Sequence, residues 1–256
     1  MPRTKRQLQR VAVVLGLLIL WELAARFGPW PHSLFPSPWR VVESLARLAV
    51  DGRLFAAVAR SLGRLGQGYL LSIAVGIPLG MLTARVQFMR LSVKPVVMGL
   101  QALPSICWLP LAILWFGLSE SSILFVVVMG SLLSIAIASE DAVNHIEPLL
   151  LRQAGTLGIK GPRLYLGVLV PAALPGIITG LKLGWSFAWR ALMAAELLFV
   201  SGGLGQLLHV GRELLDVGQV MAVMVTIIAV GVAVDRFLFR FVEHRVWRRW
   251  GLLATK

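Results

Sequence analysis

Four long stretches of this chain carry no formal charge: residues 65–84, 95–119, 121–139 and 217–234. Each is bracketed by charges, as Arg64 and Arg85 bracket the first. Each has about the ~20 residues that a helix needs to cross a hydrocarbon core roughly 30 Å thick. A buried helix in a soluble core would explain one such run. Four of them, with the charges pushed to their ends, call for a bilayer. Composition agrees, with 57% of residues hydrophobic and 14% charged, where a soluble domain carries about 25% charged residues. The expected fold is all-α, a polytopic membrane helical bundle of about six transmembrane helices.

The expected spans lie at about 11–27, 66–84, 93–117, 121–139, 175–199 and 218–239. The apolar run from Val11 to Ala25 follows Arg3, Lys5, Arg6 and Arg10, an order shared with secretory signal peptides. No small-x-small cleavage site closes the run and Glu22 sits within it, so it reads as a retained first span. Basic residues in short loops stay cytoplasmic. With both termini inside, the cytoplasmic segments hold the four N-terminal cations, then Arg85, Arg90 and Lys94, then Arg152, Lys160 and Arg163. They also hold Arg236, Arg240, Arg245, Arg248, Arg249 and Lys256, which makes sixteen of the twenty-five Lys and Arg residues. The net charge of +13 therefore reports topology, and no nucleic-acid partner is expected. Cys107 is the only cysteine, so no intramolecular disulfide can form. His32, His145, His209 and His244 lack metal-ligand spacing, and no metal site is expected.

Segment 28–65 would then lie outside. It begins with prolines 29, 31, 36 and 38, which exclude regular helix there. From Trp39 onward, Val41, Val42, Leu45, Leu48 and Ala49 recur at helical spacing, as in an amphipathic helix resting on the outer membrane face. Residues 140–174 are too long for a simple connection. Leu149–Leu157 reads as a short helix ended by Gly158, and Pro162 opens a second that reaches about Val170. Pro171 and Pro175 are expected to break the chain before the fifth span. Two short helices at the cytoplasmic surface suit the docking of another protein.

This loop resembles that of binding-protein-dependent ABC importer permeases, which carry Glu-Ala-Ala, three residues, Gly, nine residues, then Ile-x-Leu-Pro. The corresponding stretch here is Arg152-Gln153-Ala154, three residues, Gly158, nine residues, then Val168-Leu169-Val170-Pro171. Ala154, Gly158 and Pro171 match, whereas Arg152 stands where the family has Glu. The runs from Arg60-Ser61 through Gly76-Ile77-Pro78, Leu103-Pro104 with Trp108-Leu109-Pro110, and Leu174-Pro175 through Glu196 are similar to the nitrate/sulfonate/taurine/bicarbonate branch. The resemblance covers about residues 55–243.

It implies the ABC importer permease (MetI-like) fold, N-in/C-in, in a bacterial inner membrane. It also implies a second permease copy, cytoplasmic ATP-binding subunits and an external solute-binding protein. The coupling residues would be Arg152, Gln153, Ala154, Gly158, Pro162, Val168, Val170 and Pro171. The implied organisation is 1–54 as a first span plus outer segment, 55–243 as the permease domain with coupling loop 140–174, and 244–256 as a basic tail. No phosphate loop of the form G-x-x-x-x-G-K-[ST] occurs. No cofactor is expected in this chain, and ATP and Mg would be used by the partner ATPase.

The fifth span carries Gly176, Gly180, Gly184 and Ala188 every four residues, a face that lets another helix approach closely. Beside it Thr179, Lys182, Ser186 and Arg190 form a polar stripe. An arginine deep in a span either finds an acidic or carbonyl partner or faces a water-filled path, where it would guide anions. Glu196 lies too far around the helix to pair with Arg190. With Gln101, Ser105 and Trp108 from the third span, these residues are the candidate translocation path. The expected function is a permease for a small solute, an anion such as a sulfonate, taurine, nitrate or bicarbonate. An ion-coupled secondary transporter and a non-transporting membrane scaffold are the alternatives. The first predicts internal repeats that the sequence does not display, and the polar stripe and long loop argue against the second.

Overall fold

A computed structural model describes residues 3–31, 34–199 and 201–249, and among them no strand occurs. His32 and residues 250–256 of the expected basic tail lie outside the described residues, as do the side chains of Arg3, Lys5, Arg6, Arg10 and Arg249. The helices are α1 (Arg3–Phe27), α2 (Pro38–Val50), α3 (Arg53–Arg85), α4 (Lys94–Gln101), α5 (Leu109–Phe116) and α6 (Glu120–Asn144). They continue as α7 (Pro148–Thr156), α8 (Pro162–Leu164), α9 (Val170–Glu196), α10 (Leu204–Glu213), α11 (Val217–Val234) and α12 (Arg240–Arg249). Helix is the form that satisfies every backbone polar group within one segment in lipid. Four continuous helical stretches are long and apolar enough to cross a membrane: Arg53–Arg85, Glu120–Asn144, Pro162–Glu196 and Val217–Arg248.

Two expectations are corrected. Residues 93–117 are not one straight span: Met89–Gln101 and Ser105–Phe116 meet at a bend of 102°. Pro104 supplies no N–H and disfavours helical backbone at Leu103, so the ladder ends there. Conversely, Pro171 and Pro175 do not break the chain, which runs helically from Pro162 to Glu196. A π-turn at Tyr165–Leu169 widens the helix just before Pro171, the kind of local adjustment that lets membrane helices keep a proline. The expected second short helix is thus the first part of a long one.

The chain divides into two compact units. The first comprises Met1–Arg60 and Gly202–Ile228. Within it α2 has the amphipathic character read from sequence, opened by Ser37 with Pro38 at the first turn and burying Val41, Ser44 and Leu48. Gly218 approaches α2 so closely that a Cβ there would lie 2.9 Å from Ser44 Oγ.

The second unit comprises Ser61–Ser201 and Ala229–Lys256 and is organised around α6. Gly68, Gly76 and Gly80 of α3 meet Val127, Ile135 and Ser139 in turn, so α3 and α6 run the same way. Gly176, Gly180 and Gly184 of α9 meet Ala142, Ala138 and Ile135, so α9 runs opposite. A Cβ at Gly176 would come within 2.7 Å of that of Ala142. The period-four glycine face does what small residues do in membranes, bringing backbones together. Because α3 and α6 are parallel, the bent pair α4–α5 must carry the chain back along the bundle between them. Leu65, Ile123, Val126, Val127 and Leu192 fill the core beside this seam.

Candidate translocation path and coupling loop

The bend of α4–α5 creates a cavity of about 290 Å³. Gln101, at the end of α4, and Ser105, at the start of the 3-10 turn Ser105–Trp108, line it together with Gly130 of α6 and Phe187 and Arg190 of α9. Gln101 Nε2 donates to Ser134 Oγ at 2.9 Å, which fixes α4 on α6. Gly130 leaves room for α9: a Cβ there would stand 2.8 Å from that of Ala191. Arg190 donates Nε to the Ser186 carbonyl at 3.1 Å, and its Cζ lies 4.7 Å from the Phe187 ring centroid. The cation–π contact orients the guanidinium without neutralising it. No carboxylate pairs with Arg190 among the described residues, and the side chain is exposed.

The rest of the polar stripe lies elsewhere. Thr179, Lys182 and Ser186 line an open cavity of about 810 Å³ between α6 and α9, beside Asp141 and His145. Thr179 and Ser186 turn their hydroxyls back to the carbonyls of Pro175 and Lys182. Lys182 Nζ pairs with Asp235 at 3.0 Å and lies 3.8 Å from Glu243. Trp108 packs edge-on against Phe125 and lines neither cavity.

Glu196 is fully buried. It accepts from Arg64 Nη1 at 2.8 Å and from Ser61 Oγ at 2.7 Å. Arg64 also donates to both carboxylate oxygens of Glu120 and to the Ser201 carbonyl. This cluster was not foreseen as such, nor was the pair of buried Glu140 with Lys94 at 2.7 Å. The signal lay in single charges adjoining apolar runs, each needing a partner that local sequence does not supply.

In the coupling loop, α7 begins with Pro148 and ends in a Schellman turn. Ile159 N–H bonds the Ala154 carbonyl at 3.0 Å and Gly158 N–H bonds that of Gly155 at 3.1 Å. Gly158 takes φ +68° and Gly161 φ +61°, backbone that favours glycine. Ala154 is buried, while Arg152, Gln153 and Pro162 are exposed. Val168, Val170 and Pro171 are half-buried around the fully buried Leu169.

A multi-helix bundle closed on a small-residue seam, with a polar cavity at a broken helix, has the architecture of a membrane permease. The model of the family described as "binding-protein-dependent transport system inner membrane component" matches residues 76–248. A Methanocaldococcus jannaschii protein named as an ABC transporter permease is 32% identical over 253 residues, covering 96% of this chain and 94% of that one. A taurine transport system permease protein of Escherichia coli is 27% identical, covering 86% of this chain and 82% of its own. A bicarbonate transport system permease protein of Synechocystis is 28% identical, covering 87% and 83%. Among solved structures, the inward-facing MetNI methionine ABC transporter matches with a TM-score of 0.64 at 20% identity, covering 77% of this chain and 95% of that chain. The chain belongs to the inner-membrane permease family of binding-protein-dependent transport systems. It is a multi-pass inner-membrane permease subunit of an ABC importer, a system that also comprises ATP-binding subunits and a solute-binding protein. The secondary-transporter and scaffold readings fall with that assignment.

Proposed function

We propose that this permease passes a small oxyanion-bearing solute along the face of α9, with Arg190 as its electrostatic guide. The observation that carries the reading is Arg190 at the cavity of the bent helix pair, with one N–H satisfied by Ser186 and no acidic partner among the described residues. Gln101 and Ser105 add neutral polar groups to the same cavity. Thr179 and Ser186 belong to the second, wider cavity on the same helix face. Relatives named for taurine and bicarbonate transport favour an anion as well. Lys182 and Glu196 serve as ion-pair partners at either end of the path, and Trp108 supports the bend. Solute contacts are weak, because a permease must release what it receives.

In this reading two copies of the chain enclose the path, and the solute-binding protein delivers solute from outside. Both termini are cytoplasmic, and the coupling loop receives the ATPase through α7 and the Gly158 turn. Hydrolysis of ATP, with Mg, belongs to that separate chain, and this one is not an enzyme. The test is ATP-driven uptake of taurine or bicarbonate by the complete transporter in proteoliposomes. Arg190→Gln should lower uptake at least tenfold while the ATP-binding subunit stays bound. Loss of assembly in that variant would make Arg190 a structural residue and end the guiding role.

A further inference from the structure

We infer that the helix continuing from α11 into α12 carries a site for anionic phospholipid. In it Arg236 and Arg240 hold the headgroup phosphate, and Phe237 and Phe241 lie along the acyl chains. The site is apart from the proposed path and does not depend on the role of Arg190. Its level in the bilayer follows from length. Residues 217–234 carry no charge and form a helix of 18 residues, which at 1.5 Å per residue spans about 27 Å. That nearly fills a hydrocarbon core roughly 30 Å thick. The helix then continues without a break to Arg248. Its first charges, Asp235 and Arg236, therefore arrive where the headgroups begin.

The two faces of this continuation differ. Phe239 is buried beside Trp185, and Val242, Glu243 and Val246 follow it at helical spacing as half-buried residues. Asp235 and Glu243 are both turned to Lys182 of α9. The other face exposes Arg236, Phe237, Arg240, Phe241, Arg245 and Arg248. Residues 236–249 hold five arginines against Glu243 alone, and these four exposed arginines have no ion-pair partner among the described residues. Their order sets them apart from other exposed cations. The two phenyl groups, 77% and 62% exposed, stand level with Arg236 and Arg240, and Arg245 and Arg248 follow farther along. An exposed phenyl is best placed among acyl chains, and an arginine beside it keeps its head in the polar layer. Both conditions are met at the boundary between chains and phosphates. Arginines four apart on one face can close on a single phosphate, each through its planar fork. Arg85 and Arg90, also exposed at the end of a span, are separated by a break in the helix at Val86, so no such face forms between them.

The test reconstitutes the full permease in vesicles of equal phosphatidylcholine and phosphatidylglycerol, extracts it in detergent and counts the retained lipids by mass spectrometry. Wild type should retain phosphatidylglycerol over phosphatidylcholine about tenfold, an excess within reach of two arginines at a membrane surface. Arg236→Gln/Arg240→Gln should retain the two lipids alike. Arg236→Lys/Arg240→Lys keeps the charge without the planar fork and should fall between. Phe237→Ser/Phe241→Ser should lose the excess with both arginines still present. Arg90→Gln should keep it. All the replaced side chains are exposed, and size exclusion of each variant reports that it is folded. Equal retention of the two lipids by wild type overturns the inference, as does an excess that survives Arg236→Gln/Arg240→Gln. An excess lost equally in Arg90→Gln would reflect overall charge, and the site fails. Displacement of phosphatidylglycerol by inorganic phosphate at constant ionic strength would make this a site for free phosphate and likewise overturn it.

Discussion

Arg64 and Glu196 stand 132 positions apart and meet as a 2.8 Å ion pair in which the carboxylate has no exposure to solvent. The pair joins α3 to the end of α9, and Glu120 brings in the start of α6 through the same guanidinium. The start of α6 and the end of α9 are thereby fixed to the body of α3.

Removing one partner of such a pair leaves a buried charge, which costs about 3–5 kcal/mol. Arg64→Met should therefore abolish accumulation of folded permease or lower its unfolding temperature sharply in detergent. Glu196→Gln keeps an acceptor for Ser61 and should be milder. The double variant Arg64→Met/Glu196→Met should recover much of the loss, since no buried charge is then stranded and Glu120 is exposed. A double variant as unstable as Arg64→Met would show that the hydrogen-bonded geometry matters more than charge balance.

The seam between α6 and α9 makes a second prediction. Gly180 and Gly184 have no room for a side chain against Ala138 and Ile135. Gly184→Val should destabilise by about 1–3 kcal/mol through overpacking, read as loss of monodisperse protein on size exclusion. Gly99→Ala, where a Cβ meets no atom within 4 Å, should leave the elution profile unchanged.

At Gly158 the constraint is of another kind. No atom lies within 4 Å of a Cβ built there, yet φ is +68°. Gly158→Val should cost more than about 1 kcal/mol through left-handed strain alone, unwinding the Schellman turn and reducing ATP-driven uptake. Gly158→Asn, which tolerates this backbone better, should retain more uptake than Gly158→Val. Equal activity of the two would separate the turn from coupling.

Within the proposed path, Arg190→Lys preserves charge but not the planar fork. Its uptake should fall between that of wild type and Arg190→Gln in the same vesicles. An uptake order unrelated to charge would point to packing on Phe187 as the role of this residue.

Topology is open to direct measurement. With Cys107 replaced by Ser, a cysteine at exposed Glu43 of α2 should react with a membrane-impermeant maleimide added from outside. Labelling only after the cytoplasmic face is opened would reverse the proposed orientation.

Much of this was legible in the chain because it is local. The uncharged runs gave α6 and the apolar lengths of α3 and α11, and period-four glycines gave the seam face of α9. The amphipathic helix α2 and the glycine that ends α7 follow from spacing and backbone preference within a few residues. What was hidden depends on partners distant in sequence or on how a proline is accommodated. Nothing near Arg64 names Glu196. Leu103-Pro104 stands at the bend of its segment, while Val170-Pro171, next to a π-turn, stays within continuous helix. The split of the polar stripe between two cavities likewise needed the position of α4.

A helix gripped by glycines on two sides has nowhere to slide. From Gly68 to Gly80 on one flank and from Gly176 to Gly184 on the other, α6 is meshed with α3 and α9 at van der Waals distance. Sliding one of them along another would bring larger side chains to the places that the glycines leave open. The bent pair packs on α6 through Val97 and Ala112 and adds two polar contacts, Lys94 to Glu140 and Gln101 to Ser134. The 102° bend between these two helices falls at residues 102–104, at the cavity that Arg190 lines.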